Sequence, residues 1–229
     1  MEETKIISVD VDNVENERFF CYKSKPKTPG YQKKLAWLKA RFDEGMRIKI
    51  LYEGKRSFGF IEYLPGEHAW RAVHAPGYMF IHCIWVVGKG KGKGFGSRLL
   101  AECIRDACLD GKYGVAMVTS SRVWLMDKPL LIKNSFMEVD HAPPSFDLVV
   151  LKFDQSAPDP TFPTDWEARA ACCGEGLTVF RSDQCPYIED ATQAVVDAGT
   201  EAGVETRVVA LNSAQEVRDT APSAYGLFN

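Results

Sequence analysis

Five glycines occupy every second position from Gly88 to Gly96, and Lys89, Lys91 and Lys93 fill three of the gaps. An apolar run, Ile84-Trp85-Val86-Val87, precedes this loop, and a helical pattern opening at Ser97-Arg98-Leu99-Leu100 follows it. Glycine lets backbone approach a ligand closely, and the first helical turn offers unpaired N–H groups that favour anions. The combination describes a site for a phosphorylated ligand. Spacing narrows the choice. A Walker A loop needs glycines five apart, and a dinucleotide fingerprint needs them at i, i+2 and i+5. Both require a change of parity, and the glycines of this run sit only at even numbers. What fits is a basic residue, two spacers, glycine, one spacer, glycine: Lys91, Gly94 and Gly96, with Gly92, Lys93 and Phe95 between.

The elements needed to hold such a loop are legible around it. Lys5 to Val11 reads as a strand, and Leu35, Leu38 and Phe42 recur at helical spacing from Tyr31 to Glu44. Strands are expected near 47–53 and 57–64, with a short extended segment from Trp70 to Val73. The central strand, Tyr78 to Val87, alternates Phe80, His82, Ile84 and Val86 against Met79, Ile81, Cys83 and Trp85. From Ser97 a helix buries Leu99, Leu100, Cys103, Ile104 and Ala107. A strand at 114–120, a short helix at 128–134 and strands at 136–139 and 146–153 complete a first unit. Residues 154–176, with Pro158, Pro160 and Pro163, read as a linker ending in a short helix. A second unit from Leu177 shows a strand, a helix opening at Cys185-Pro186-Tyr187-Ile188, a strand near 206–211 and another short helix.

Composition bounds the partners. The 229 residues are 45% hydrophobic and 26% charged, which is ordinary for a globular chain. A formal charge of −3 argues against a general nucleic-acid binder, because the lysine run is local. No apolar stretch reaches the ~20 residues of a membrane span, and Met1-Glu2-Glu3-Thr4 lacks a signal-peptide core. Seven cysteines without framework spacing point to a reducing, cytoplasmic setting and to no metal site.

With its flanking strand and helix, the loop resembles the acetyl-CoA pyrophosphate loop of the GNAT N-acetyltransferases, although Lys91 stands where the family usually has Arg or Gln. The resemblance covers about residues 1–153 and implies the GNAT acyl-CoA N-acyltransferase fold, an α/β (α+β) arrangement with a mixed sheet splayed beside the loop. It implies acetyl-CoA as co-substrate and a small-molecule or peptide amine as acceptor. The holding residues it implies are Lys91, Gly92, Lys93, Gly94, Phe95, Gly96 and Ser97, with the backbone of Ile84, Val86 and Val87 beside the pantetheine arm. Direct attack by an amine needs a group to take its proton. His82, on the central strand and with an ordinary pKa near ~6.5, is a candidate, as is Glu62 on the preceding strand; Glu67 and His68 are others. His82 reads equally as a core histidine bonded to backbone. The Tyr that many family members carry as general acid is replaced by Leu131.

Residues 177–229 resemble part of a thioredoxin-like domain, closest to glutaredoxins, with Ile188 in place of the second active-site cysteine. Thr220-Ala221-Pro222 looks like that family's Thr-Val-Pro, whose proline is cis. An acetyltransferase followed by such a unit is similar to the YoaP-like acetyltransferases. Cys185, ahead of a helix, has the context of a reactive thiol. The short second unit must cover its edge with the first domain or with a second copy of the chain, a homodimer. Two other functions remain open at this level: a CoA-binding sensor with little catalysis, and a thiol-dependent redox protein centred on Cys185.

Overall fold

Seven strands form one sheet in the order β1-β2-β3-β4-β5-β7-β6, antiparallel throughout except for the parallel pair β4–β5. In this computed structural model the described residues are 3–126 and 128–226, so the predicted unit ends at 1–2 and 227–229 lie outside them. The strands are β1 (Thr4–Val9), β2 (Arg47–Glu53), β3 (Arg56–Pro65), β4 (Tyr78–Val86), β5 (Gly114–Thr119), β6 (Met137–Ala142) and β7 (Phe146–Lys152). Every residue of β5 is buried, as expected for a strand covered on both faces.

One face carries α3 (Phe95–Leu109), whose Leu99, Leu100, Cys103 and Ala107 pack with Ile61, Met79, Ile81, Ile84, Val115 and Met117. The short α4 (Pro129–Lys133) adds Leu131 to the same cluster. The other face carries α1 (Val14–Glu17), which periodicity does not reveal in four residues, and α2 (Pro29–Phe42). α2 begins two residues before the predicted Tyr31 because Pro29 sits in its first turn, where a missing N–H costs nothing.

The C-terminal unit lies on this second face. It comprises α5 (Trp166–Ala171), β8 (Leu177–Arg181), α6 (Ile188–Glu201), β9 (Thr206–Ala210) and α7 (Ala214–Thr220), with β8 and β9 paired in parallel. Ile188, Leu211, Val217, Ala221 and Tyr225 share one hydrophobic cluster with Trp37, Leu38, Phe60, Tyr78 and Phe80. The backbones meet closely at α2, where a Cβ on Gly30 would stand 2.1 Å from the Pro186 carbonyl oxygen.

Three expectations are corrected. The stretch 154–176 contains the expected short helix, α5, but it packs on the first unit instead of running free as a linker: Phe162 and Trp166 are buried in the shared cluster, and Thr161 bridges His74. Trp70 to Val73 forms no strand, because the Trp70 N–H donates to His82 Nε2 rather than to a neighbouring strand. Ala221–Pro222 is not cis; Pro143–Pro144 is the cis peptide among the described residues.

Candidate active site

The sheet opens at the end of β4. Its ladder with β5 runs from Tyr78↔Gly114 to Ile81↔Met117 and stops there, although β4 continues five residues further to Val86. On its other side β4 stays paired with β3, but the register shifts: Glu62 lies opposite Cys83 and Tyr63 opposite Ile81. His82 is the extra residue of this β-bulge. A bulge inserts one residue and reverses the alternation beyond it. Met79 and Ile81 face α3 before the bulge, and Ile84 and Val86 face α3 after it, while Phe80 and Cys83 belong to the opposite face. The sequence reading that placed His82 on one face with Ile84 and Val86 is therefore wrong.

Where β4 leaves β5, the glycine loop and the start of α3 enclose a groove of about 390 Å³. Trp85, Val86, Gly90, Lys91, Gly92, Gly94, Phe95, Gly96 and Ser97 line one side, and Leu125, Met126, Leu130 and Lys133 the other. Gly94 precedes α3 with φ 77°, no side chain caps this helix, and no acidic residue lies in its first turn. The N–H groups of Phe95, Gly96 and Ser97 precede the first backbone bond into the helix, Arg98 N–H to Gly94 O, so they have no intrahelical acceptor. The glycines serve different ends. Gly92 and Gly94 have φ of +78° and +77°, and a Cβ on either would meet no protein atom within 4 Å. Gly96 instead keeps clear of Leu130, whose Cδ2 would lie 2.9 Å from a Cβ there.

Of the residues predicted to hold a phosphorylated ligand, Val86, Lys91, Gly92, Gly94, Phe95, Gly96 and Ser97 line this groove and three do not. Ile84 is buried against α3, the Val87 N–H donates to Phe58 O, and Lys93 pairs with Glu53 at 2.7 Å. Sequence reasoning missed Trp85, Gly90, Leu125, Met126, Leu130 and Lys133. Lys133, a basic residue closing a short helix after Pro129, was the one signal available for the far wall.

The acid–base candidates lie on the opposite face, at the bulge. Glu62 accepts two hydrogen bonds from Lys34 Nζ, at 2.8 and 2.7 Å, with both side chains buried. Burial alone would raise its pKa, but the Lys34 charge and the nearby His82 outweigh that and hold the carboxyl at about 2. Burial pushes His82 down to about 4, Glu62 opposing and Arg71 adding to the fall. Its Nε2 accepts the Trp70 N–H at 3.0 Å, and a neutral imidazole has one such lone pair, so Nδ1 carries the proton. Nδ1 stands 3.8 Å from Glu62 Oε1, beyond a hydrogen bond. In this geometry His82 has no lone pair to offer an incoming amine, and the general-base assignment does not fit it. A carboxylate at about 2 is equally unsuited to proton removal near neutrality.

Cys185 departs from expectation as well. It lies three residues before α6, and burial raises its thiol above the ordinary value by more than the Tyr187 backbone N–H lowers it. It is a protonated thiol at neutral pH, not an activated one. Glu67 accepts the Gly77 N–H at 2.7 Å in a surface turn away from the bulge. No helix among the described residues is long and apolar enough to cross a membrane.

Residues 11–121 match the profile of the acetyltransferase (GNAT) family. Over 227 residues the chain is 32% identical to the uncharacterized N-acetyltransferase YoaP of Bacillus subtilis (strain 168), covering 97% of this chain and 88% of that one. Among solved structures, a GNAT family acetyltransferase from Brucella melitensis in complex with acetyl-CoA aligns at TM-score 0.44 and 15% identity, over 72% of this chain and 98% of its own. An acetyltransferase from Thermus thermophilus aligns at TM-score 0.47 and 15% identity, over 67% and 100%.

Proposed function

Because this chain belongs to the GNAT acetyltransferase family, we propose that it transfers the acetyl group of acetyl-CoA directly to a primary amine. The observation that carries this reading is the groove at the open end of β4, where α3 begins without a cap and Gly92 and Gly94 leave room beside it. The N–H groups of Phe95, Gly96 and Ser97 would hold the pyrophosphate, helped by the helix dipole and by Lys91. The backbone of β4 beyond Ile81, free of β5, would pair with the pantetheine arm and offer N–H groups to the developing oxyanion.

Glu62 and His82 act here as positioning residues. Glu62 fixes Lys34, and His82 fixes the turn at Trp70. The acceptor therefore enters as the free amine, its proton having passed to water. Nitrogen attacks the thioester carbonyl, and the now cationic nitrogen gives its surplus proton to water as the C–S bond breaks. The thiolate takes up a proton from solvent, leaving the neutral amide and free CoA. In this reading, residues 177–226 are a reduced thioredoxin-like unit without a redox cycle. The β8-α6-β9 crossover with parallel strands supports the likeness, and Ile188, three residues after Cys185 where a second cysteine would stand, removes the dithiol. Seven free cysteines suit a reducing cytoplasm.

Chromatographic assay of acetyl-CoA with a panel of amines tests the proposal. N-acetyl product and free CoA should form together in equal amounts. Binding of acetyl-CoA with no transfer to any amine would replace the enzyme by a CoA sensor, and absence of binding would remove both.

A further inference from the structure

The bulge of β4 meets the C-terminal unit through a set of buried groups that the transfer step does not use. Arg71, 3% exposed, donates to the backbone oxygens of Trp70 and His82, each at 3.0 Å, and to Gln184 Oε1. These acceptors are neutral. The carboxylate of the cluster, Glu62, is committed to Lys34, and no ion pair among the described residues includes Arg71. Two cations and one carboxylate leave one positive charge over.

Three unpartnered polar atoms beside these groups share that bias. Trp37 Nε1, Trp70 Nε1 and His82 Nδ1 are buried without a hydrogen-bond partner. Indole N–H is donor only, and His82 Nδ1 carries the ring proton, so all three are donors. The rings lie together, Trp37 to Trp70 at 5.3 Å and Trp37 to His82 at 6.1 Å between centroids. Buried donors without acceptors are destabilising, and an unpaired buried cation is more so. A ligand that supplies acceptor oxygens and one negative charge answers both deficits at once. The half-buried thiols of Cys83 and Cys185, next in sequence to His82 and Gln184, border the same junction.

We propose that this junction is an anion subsite for the acceptor: Arg71 and the N–H groups of Trp37, Trp70 and His82 take the carboxylate of an amino acid. The inference rests on the acetyl-transfer reading, since His82 and Ile84 lie two residues apart on β4 and the subsite thereby borders the strand proposed to hold the thioester. It makes the C-terminal unit part of the acceptor site, because Gln184 orients Arg71 from that side.

Two measurements on the full chain test it. The common amino acids and their carboxamides are compared as acceptors: the preferred acid should exceed its own amide in kcat/KM by ~30-fold or more, the size expected for a buried charge partner. Arg71→Met should collapse that ratio, and Trp37→Phe should lower it with the charge retained. Separately, the indole N–H resonances of Trp37 and Trp70, assigned by Trp→Phe variants, are followed while that amino acid is titrated without acetyl-CoA. Both should shift saturably, and inorganic phosphate should compete weakly or not at all. Amides used as well as acids, or indole signals that stay still, would overturn the subsite. A phosphonate analogue preferred over the carboxylate would overturn the assignment to amino acids. If the indole signals shift while no acetyl product ever forms, the subsite stands and the transferase reading fails.

Discussion

Acidification between pH 7 and pH 4 should destabilise this protein mainly through His82. The imidazole is 2% exposed, binds the Trp70 N–H through Nε2, and is held at about 4 against an ordinary 6.5. A folded-state pKa below the unfolded one means that the unfolded chain binds the proton first. Unfolding free energy therefore falls as pH drops through 6.5, and the loss is complete near 4. The gap from 6.5 to about 4, at about 1.4 kcal/mol for each pH unit, amounts to about 3 kcal/mol. Glu62, held at about 2 against 4.5, extends the same trend to lower pH, with its loss running from 4.5 downward. The assay is urea unfolding at half-unit pH steps on the protein and on His82→Gln, whose amide oxygen can accept the Trp70 N–H but does not titrate. The difference between the two curves should change by about 3 kcal/mol across the window. Parallel curves would show that His82 is not neutral and buried in the fold, and would reopen its candidacy as a base.

Further outcomes follow from the same structure. Plotted against pH, log kcat/KM should rise with unit slope up to the acceptor's own pKa, with no break near 6.5; a break there that His82→Gln removes would contradict the positioning role. Gly94→Val places a branched side chain at φ 77° in the open space beside the first turn of α3, so CoA affinity measured by calorimetry should fall by ~10²-fold or more. Gly96→Val meets only the flexible end of Leu130 and should cost less; equal affinity in wild type and both variants would remove the phosphate site from this loop. Lys34→Met leaves Glu62 buried and unpaired, which should cost about 3–5 kcal/mol in denaturant unfolding, with part recovered by adding Glu62→Gln. Cys185→Ser should retain acetyl transfer, and iodoacetamide should label the Cys185 thiol slowly at pH 7 because burial keeps it protonated; rapid labelling would refute that.

Sequence alone determined the parts whose signal is local. Glycines at alternate positions before an amphipathic run specify a close-approach loop and a helix start, and α3 buries the predicted Leu99, Leu100, Cys103 and Ala107. Strand positions followed from period-two patterns, and β2 falls on the predicted residues 47–53. Tertiary structure decided what depends on partners. A period-two reading assumes an unbroken ladder, whereas the bulge at His82 arises from how β4 pairs with β3, and it turned Ile84 and Val86 to the other face. Helix position predicted a lowered Cys185 pKa, but burial against the first unit outweighed it. Phe162 and Trp166 looked like linker residues because the proline-rich composition shows chain direction, not which surface will cover an aromatic ring. Arg71, Trp37 and Trp70 carried no motif. Their surplus of charge and donors exists only where α2, the turn before β4 and the C-terminal unit exclude water together, since the same groups in solvent would all be satisfied.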